Sequence, residues 1–191
     1  MTEERDFRQL PADLPVPVDD GAADHLTGLE LPELALPSTH GGTVDLRALA
    51  AEACTLVVYV YPRTGTPGEA LPEGWNEIPG ARGCTPQNLG FRDHRAQLTV
   101  LGAEVVGVSA QTTDEQQAFA AREHIPFPLL SDPELRLAAA LRLPSFEAGG
   151  MTVYTRITLI ARGTTIEKVF YPVFPPDRDA ANVVAYLGQV S

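Results

Sequence analysis

Thr55-Leu56-Val57-Val58-Tyr59-Val60-Tyr61 is a run of apolar and β-branched residues without the alternation of a strand that has one wet face. It predicts a strand that is covered on both faces of a sheet. Further along, Gly83-Cys84-Thr85-Pro86-Gln87 leads into residues 91–95, Phe-Arg-Asp-His-Arg, which read as the first turns of a helix. A thiol at a helix start lies at the positive end of the helix dipole, which favours thiolate over thiol. Cys84 is therefore the candidate nucleophile.

The segments around these two runs alternate between β and α patterns. The predicted elements are a helical turn at 44–49, the strand at 55–61, a helix at 85–101 closed by Gly102, a strand at 105–109, a helix from Thr112 or Thr113 to about His124, a helix from Ser131-Asp132-Pro133 to near Leu141, β runs at 153–161 and 165–171 joined by a turn, and a helix at 179–187. This order predicts an α/β domain with a mixed central sheet flanked by helices. Residues 1–28, rich in Pro, Asp and Ala, predict an extended N-terminal arm before a domain at 29–191.

Composition excludes several classes of protein. The chain has 191 residues, 44% hydrophobic and 20% charged, which is ordinary for one globular domain. Its net charge of −11 argues against a nucleic-acid partner, because phosphate neutralisation needs clustered Lys and Arg. No apolar stretch approaches the roughly 20 residues that span a bilayer. The N-terminus shows no apolar run behind a basic start, so a secretory signal is not expected. Two cysteines outside any Cys-x-x-Cys pattern favour a reducing, cytoplasmic setting.

The motifs around Cys84 resemble one enzyme family. Four short segments resemble the peroxiredoxins, specifically the bacterioferritin comigratory protein or peroxiredoxin Q branch: Tyr61-Pro62, Thr66-Pro67-Gly68, Cys84-Thr85-Pro86 and Phe91-Arg92-Asp93. That family carries Tyr-Pro, Thr-Pro-Gly-Cys-Thr and Phe-Arg-Asp in one tight block, whereas here residues 69–83 split the block as an insertion. The resemblance covers about residues 29 to 188 and implies a thioredoxin-like (peroxiredoxin) fold.

The resemblance also implies a thiol-dependent peroxidase. Such a reaction needs an ionised thiol, a peroxide held in line with the sulfur, and stabilised charge on the leaving oxygen. By resemblance, Cys84 attacks hydrogen peroxide or an alkyl hydroperoxide, while Thr66 and Arg156 complete the catalytic set. Pro62 and Thr85 are the implied substrate contacts. No cofactor is implied, and the scattered histidines show no metal-ligand spacing.

Three of these assignments have alternatives. Cys84 could be a buried small hydrophobe, and Arg156, within an apolar β run, could serve a structural salt bridge. Thr66 precedes Cys84 by 18 positions instead of three, so it reaches the sulfur only if residues 69–83 loop outward and return. Their Pro and Gly content favours such a loop; otherwise Thr85 or backbone amides must substitute. Trp75, within the loop, either anchors it on the body or covers the pocket.

Resolution of the oxidised sulfur is predicted to need another molecule. Leu89 stands where many relatives carry a second Cys, and Cys54 is predicted to begin a strand, about 26 Å from Pro62 along that strand. A disulfide needs Cα atoms within about 7 Å. The chain is therefore interpreted as a one-Cys peroxidase, monomer or homodimer, with an external thiol reductant such as a thioredoxin- or glutaredoxin-type protein. The alternatives are a redox-inactive thioredoxin-like binding or chaperone module and, without Cys-x-x-Cys, a disfavoured thiol–disulfide oxidoreductase.

Overall fold

A five-stranded mixed sheet with helices on both faces forms the centre of the computed structural model, which describes residues 6–190. The strands are β1 (Ala35–Pro37), β2 (Thr43–Asp45), β3 (Thr55–Val60), β4 (Ala103–Ser109), β5 (Leu129–Ser131), β6 (Ser145–Ala148), β7 (Met151–Tyr154), β8 (Ile157–Arg162) and β9 (Thr165–Phe170). The helices are α1 (Leu46–Ala53), α2 (Cys84–Asp93), α3 (Arg95–Val100), α4 (Thr113–Glu123), α5 (Arg136–Leu141) and α6 (Asp179–Val190), with 3₁₀ turns at Trp75–Glu77 and Pro176–Arg178.

The central strand of the sheet is β3, in the order β5-β4-β3-β8-β9. It pairs in parallel with β4 and antiparallel with β8. All six of its residues are buried, as the sequence predicts for a strand covered on both faces. Leu56 and Val58 pack in one core with residues of α1 and α5, whereas Val57 and Tyr59 pack in the other with residues of α2, α3, α4 and α6. The predicted α/β class with a mixed central sheet is confirmed.

Helix α2 is held against β3 by one aromatic stack and one hydrogen bond. The rings of Tyr59 and Phe91 stack with centroids 4.2 Å apart, and the Tyr59 hydroxyl donates to Asn88 Oδ1 at 2.6 Å. The Asn88 amide in turn donates to the carbonyl oxygen of Cys84 at 2.8 Å. These contacts fix the N-terminal turn of α2, and hence Cys84, beside the end of the central strand.

Two predicted elements are wrong because each is interrupted. The helix expected at 85–101 breaks at His94, which separates α2 from α3. The ring nitrogen Nδ1 of His94 lies 2.8 Å from the Gly90 carbonyl oxygen. The β run expected at 153–161 is likewise two strands, β7 and β8. The chain changes sheets there, because β7 pairs with β6 and β8 pairs with β3. Arg156 lies at this change and not inside a strand.

Smaller differences concern where elements begin. The helical turn expected at 44–49 is α1, which begins later, at Leu46, and ends later, at Ala53. Val44 and Asp45 belong to β2 instead, and Asp45 caps α1 by accepting from the Ala48 N–H at 2.8 Å. Ser131 ends β5, and α5 begins only at Arg136. Helix α4 begins as predicted after Thr112, which forms a reciprocal capping box with Glu115.

Residues 6–28 contain turns and no helix or strand, and they lie along the body of the protein. The Leu26 side chain is fully buried in the core, whereas the Val18 side chain is 81% exposed. Residues 1–5 and 191 lie outside the described part, so the division into an arm at 1–28 and a domain at 29–191 stays a proposal. Within residues 6–190, no helix combines the length and apolar character needed to cross a membrane.

Candidate active site

Cys84 is the first residue of α2 and is only 3% exposed. The residue before it, Gly83, has φ +102, a backbone conformation that favours glycine, and no side chain caps the helix. A Cβ on Gly83 would lie 2.3 Å from Pro176 and 2.8 Å from Leu10, so packing also requires glycine here. The uncapped helix start leaves backbone N–H groups and the positive dipole end beside the thiol.

Two donors face the sulfur of Cys84. The backbone N–H of Arg63 donates to Sγ at 3.4 Å, and Nη2 of Arg156 donates to it at 3.3 Å. When protonated, the thiol itself donates to the Ala81 carbonyl oxygen at 3.7 Å. Both donors stabilise negative charge on the sulfur, since hydrogen bonds to an ionised acceptor are stronger than those to a neutral one.

Arg156 is a buried cation, 2% exposed, and among residues 6–190 no carboxylate forms a salt bridge with it. Besides the sulfur, Nη2 contacts three carbonyl oxygens at 3.1–3.3 Å, those of Gly80, Ala81 and Arg82. Nη1 donates to Gln87 Oε1. The structural salt bridge that the sequence left open is thus not formed in the described part, and a buried guanidinium needs compensating charge or dipoles.

A buried carboxyl group lies behind Gln87. The Gln87 amide donates to Asp179 Oδ2 at 2.7 Å, and the Thr158 hydroxyl donates to the same oxygen at 2.6 Å. Asp179 is 1% exposed, and burial raises the pKa of its carboxyl from 3.8 to about 6 against the opposing effects of these donors and of Arg156. A continuous chain of buried contacts therefore runs from the Cys84 sulfur through the Arg156 guanidinium and the Gln87 amide to the Asp179 carboxyl.

The insertion at 69–83 packs against the β6–β7 hairpin. Trp75, in its 3₁₀ turn, is 3% exposed and joins a small core with Ala81, Ala148 and Val153, with its ring 5.9 Å from that of Phe146. Trp75 thus anchors the loop on the body, and it also lines the cavity of about 350 Å³ that Arg63 and Thr66 line. The end of the insertion returns to the site, because its last carbonyl groups contact the Arg156 guanidinium.

The two halves of the split motif face each other. Pro67 from the first half and Thr85 from the second line a common cavity of about 280 Å³, together with Gly65. Pro62 is buried beside Arg63, and Thr85 is 4% exposed.

Thr66, by contrast, is exposed and lies on the wall of a different cavity of about 350 Å³, with Arg63 and Thr64. Neither cavity has Cys84 in its wall. The loop between Pro62 and Thr66 is fixed by Thr64, whose N–H and hydroxyl both donate to Gln111 Oε1 at 3.0 and 3.1 Å. The structure thus brings Pro62, Cys84, Thr85 and Arg156 together, whereas Thr66 lies exposed on a cavity that does not include Cys84.

Sequence reasoning missed three groups of the candidate site: Gln87, Asp179 and the backbone N–H of Arg63. Gln87 follows Cys84 by three positions, one helical turn, so its spacing could have placed it near the sulfur. Asp179 lies 92 positions from Gln87, and no local pattern links them.

The second cysteine is remote from this site. Cys54 is exposed, has φ +63 and ends α1, so the prediction that it begins the strand is off by one residue. The six residues of β3 follow it, and the site lies beyond their far end. Both cysteines are free thiols. Within residues 6–190, no group of three or more His, Cys, Asp or Glu side chains is arranged to hold a metal ion.

Comparisons with known proteins agree with this geometry. The Redoxin family model matches residues 26–187. Peroxiredoxin bcp1 of Schizosaccharomyces pombe is 30% identical over 156 residues, covering 81% of this chain and 71% of the relative. Peroxiredoxin Bcp of Bacillus subtilis is 32% identical over 113 residues, 59% of this chain and 61% of the relative.

Solved structures show the same fold. Peroxidoxin BcpB of Mycobacterium tuberculosis has a TM-score of 0.70 at 24% identity, covering 87% of this chain and 99% of that one. The peroxiredoxin Q of Xanthomonas campestris has a TM-score of 0.64 at 22% identity, covering 93% and 98%. The predicted thioredoxin-like fold and the predicted enzyme class are confirmed. The chain belongs to the redoxin family and, within it, to the bacterioferritin comigratory protein and peroxiredoxin Q branch of the peroxiredoxins, a class of thiol-dependent peroxidases.

Proposed function

We propose that Cys84 is the peroxidatic nucleophile of a one-Cys peroxidase. Its thiolate attacks the terminal oxygen of a hydroperoxide, an S–O bond forms as the O–O bond breaks, and Cys84 becomes a sulfenic acid. The electron pair of the broken bond leaves with the second oxygen, which takes up a proton and departs as water or an alcohol. Charge therefore moves from sulfur to the leaving oxygen during the step.

One observation carries this proposal: Nη2 of Arg156, a buried cation without a carboxylate partner among residues 6–190, lies 3.3 Å from the sulfur. A thiolate compensates the cation before the reaction, and the same guanidinium can donate to the leaving oxygen afterwards. The Arg63 N–H, 3.4 Å from Sγ, supplies a second fixed donor. Such preorganised donors stabilise the developing charge without further reorganisation.

The remaining assigned residues surround this pair. Pro62 is buried next to Arg63 and shields the sulfur from water, and Thr85 contacts the substrate from the cavity that it lines. Thr66 completes the catalytic set by a movement of the exposed residues 66–70, which follow the fixed Thr64, toward the sulfur when peroxide binds. Catalytic contacts that are long in the free enzyme often tighten in the complex with substrate.

The substrates that we propose are hydrogen peroxide and alkyl hydroperoxides. The structural relative from Xanthomonas campestris is described as having alkyl peroxide reduction activity, which supports this range. The sulfenic acid is reduced by an external thiol such as a thioredoxin- or glutaredoxin-type protein, because Leu89 replaces a local resolving Cys and Cys54 is remote. Two free thiols suit a reducing cytoplasm, and we propose a monomer or a homodimer there.

The test is stopped-flow consumption of hydrogen peroxide with a dithiol reductant. We expect Cys84→Ser to eliminate turnover and Cys54→Ser, at the opposite end of β3, to keep most of it. Substantial turnover by Cys84→Ser would refute the assignment of the nucleophile.

A further inference from the structure

The N-terminal segment at 6–10 lies against the two cavities beside the candidate active site. The ring of Phe7 rests on Gly65, where an added Cβ would lie 2.7 Å from the ring. The Arg82 guanidinium lies over the same ring, with Cζ 5.1 Å from its centroid. Phe7 therefore contacts chain on both sides of the split, because Gly65 precedes the first half of the motif and Arg82 lies near the end of the insertion.

Two neighbouring contacts hold this segment in place. Arg8 Nε forms a salt bridge of 3.1 Å with Glu123, whose side chain is 6% exposed. Leu10 fills the space that a side chain on Gly83 would occupy. The segment thus packs directly against the residue that precedes Cys84.

Phe7 is the common wall of the two cavities at the site. The larger, of about 350 Å³, also has Arg63 and Thr66 in its wall, and the smaller, of about 280 Å³, has Thr85. Among residues 6–190, Gly65, on which the Phe7 ring rests, is the only other residue that lines both. Cys84 lines neither and is 3% exposed, so a bulky molecule in either cavity stays away from the sulfur while the ring is in place.

We propose that Phe7 is a specificity-determining residue that excludes bulky organic hydroperoxides from Cys84 while it admits hydrogen peroxide. The proposal rests on the peroxidase function of Cys84. The ring separates Arg63, whose N–H donates to the sulfur at 3.4 Å, from Thr85, the neighbour of Cys84. Truncation of the benzyl group joins the two cavities between these residues and widens the approach to the sulfur for a larger substrate. Hydrogen peroxide, with two heavy atoms, gains little from the wider path.

The experiment measures the second-order rate of Cys84 oxidation by hydrogen peroxide and by cumene hydroperoxide. A Cys54→Ser background leaves one thiol, whose loss is followed by quenching and thiol labelling. We expect Phe7→Ala to raise the rate ratio of cumene hydroperoxide to hydrogen peroxide at least about tenfold, since even one methylene group in a pocket changes discrimination by about 10-fold or more. Phe7→Tyr, which keeps the ring, should keep the original ratio.

Val18→Ala is the control, because Val18 lies eleven residues after Phe7 in the N-terminal part of the chain, is 81% exposed and lines neither cavity. An unchanged ratio in Phe7→Ala, or a shift toward hydrogen peroxide, would overturn the proposal while leaving the peroxidase function intact. If neither peroxide oxidises Cys84 in any variant, the peroxidase function is overturned, and this proposal with it.

Discussion

Asp179→Asn should abolish a pH dependence of stability that the buried carboxyl of Asp179 creates. Burial raises the pKa of this group from 3.8 to about 6, mainly by desolvation. Below pH 3.8 the carboxyl is protonated in both the folded and the unfolded chain. Between pH 3.8 and 6 the unfolded chain releases the proton first, so stability falls as the pH rises.

The size of the effect follows from the same shift. Each pKa unit is worth about 1.36 kcal/mol, so ionisation of Asp179 costs about 3 kcal/mol of folding free energy above pH 6. Asparagine keeps an oxygen that accepts from Gln87 and Thr158, and its NH₂ takes the place of Oδ1, which has no hydrogen-bond partner. The stability of Asp179→Asn relative to the wild type should therefore rise by about 2 kcal/mol between pH 4 and pH 7, because part of the cost is already present at pH 4.

Urea unfolding followed by the fluorescence of Trp75, the only tryptophan, measures this difference across the pH range. Asp20→Asn is the control of opposite sign. The pKa of Asp20 is lowered by hydrogen bonds from the Ala22 N–H and the Tyr171 hydroxyl, so its stabilisation is present at high pH and is lost as the pH falls. Parallel pH profiles for the wild type and Asp179→Asn would refute the argument.

Two further substitutions test the site and the insertion. Arg156→Ala should slow the oxidation of Cys84 by peroxide at least about tenfold, which corresponds to about 1.4 kcal/mol of transition-state stabilisation. The control Arg95→Ala, which removes an exposed salt bridge, should leave the rate unchanged. Equal stopped-flow rates for Arg156→Ala and the wild type would assign Arg156 a structural role. Trp75→Ala should lower the free energy of unfolding by about 3 kcal/mol in urea titrations followed by circular dichroism, because it leaves a cavity beneath the insertion. Val100→Ala, at an 87% exposed position, should change it little, and equal losses would mean that the insertion does not depend on Trp75.

The sequence predicted those features that depend on local pattern. The unbroken apolar run of β3 indicated a strand buried on both faces, and Thr112 indicated the start of α4. Cys84 at a helix start followed from the residues around it and from the family resemblance. These features hold because the residues that determine them are neighbours in the chain.

Features that depend on long-range pairing could not be predicted. The break around Arg156 arises because β7 and β8 pair with different partners, while the residues on both sides have the same β character. The contact from Gln87 to Asp179 joins two helices that meet only in the folded state. The position of Phe7 over Gly65 likewise depends on packing between the N-terminal segment and the insertion.

The most direct test of the proposed one-Cys chemistry is intact-mass spectrometry of the reduced protein after one equivalent of hydrogen peroxide. Cys84 is a free thiol remote from Cys54, and Leu89 stands in the place of a local second Cys. The predicted result is therefore a gain of one oxygen atom per chain. Capture by a sulfenic-acid reagent should then place that oxygen on Cys84, and excess peroxide should advance it to sulfinic acid. A dominant loss of two hydrogen atoms, with Cys54 linked to Cys84, would contradict the one-Cys mechanism.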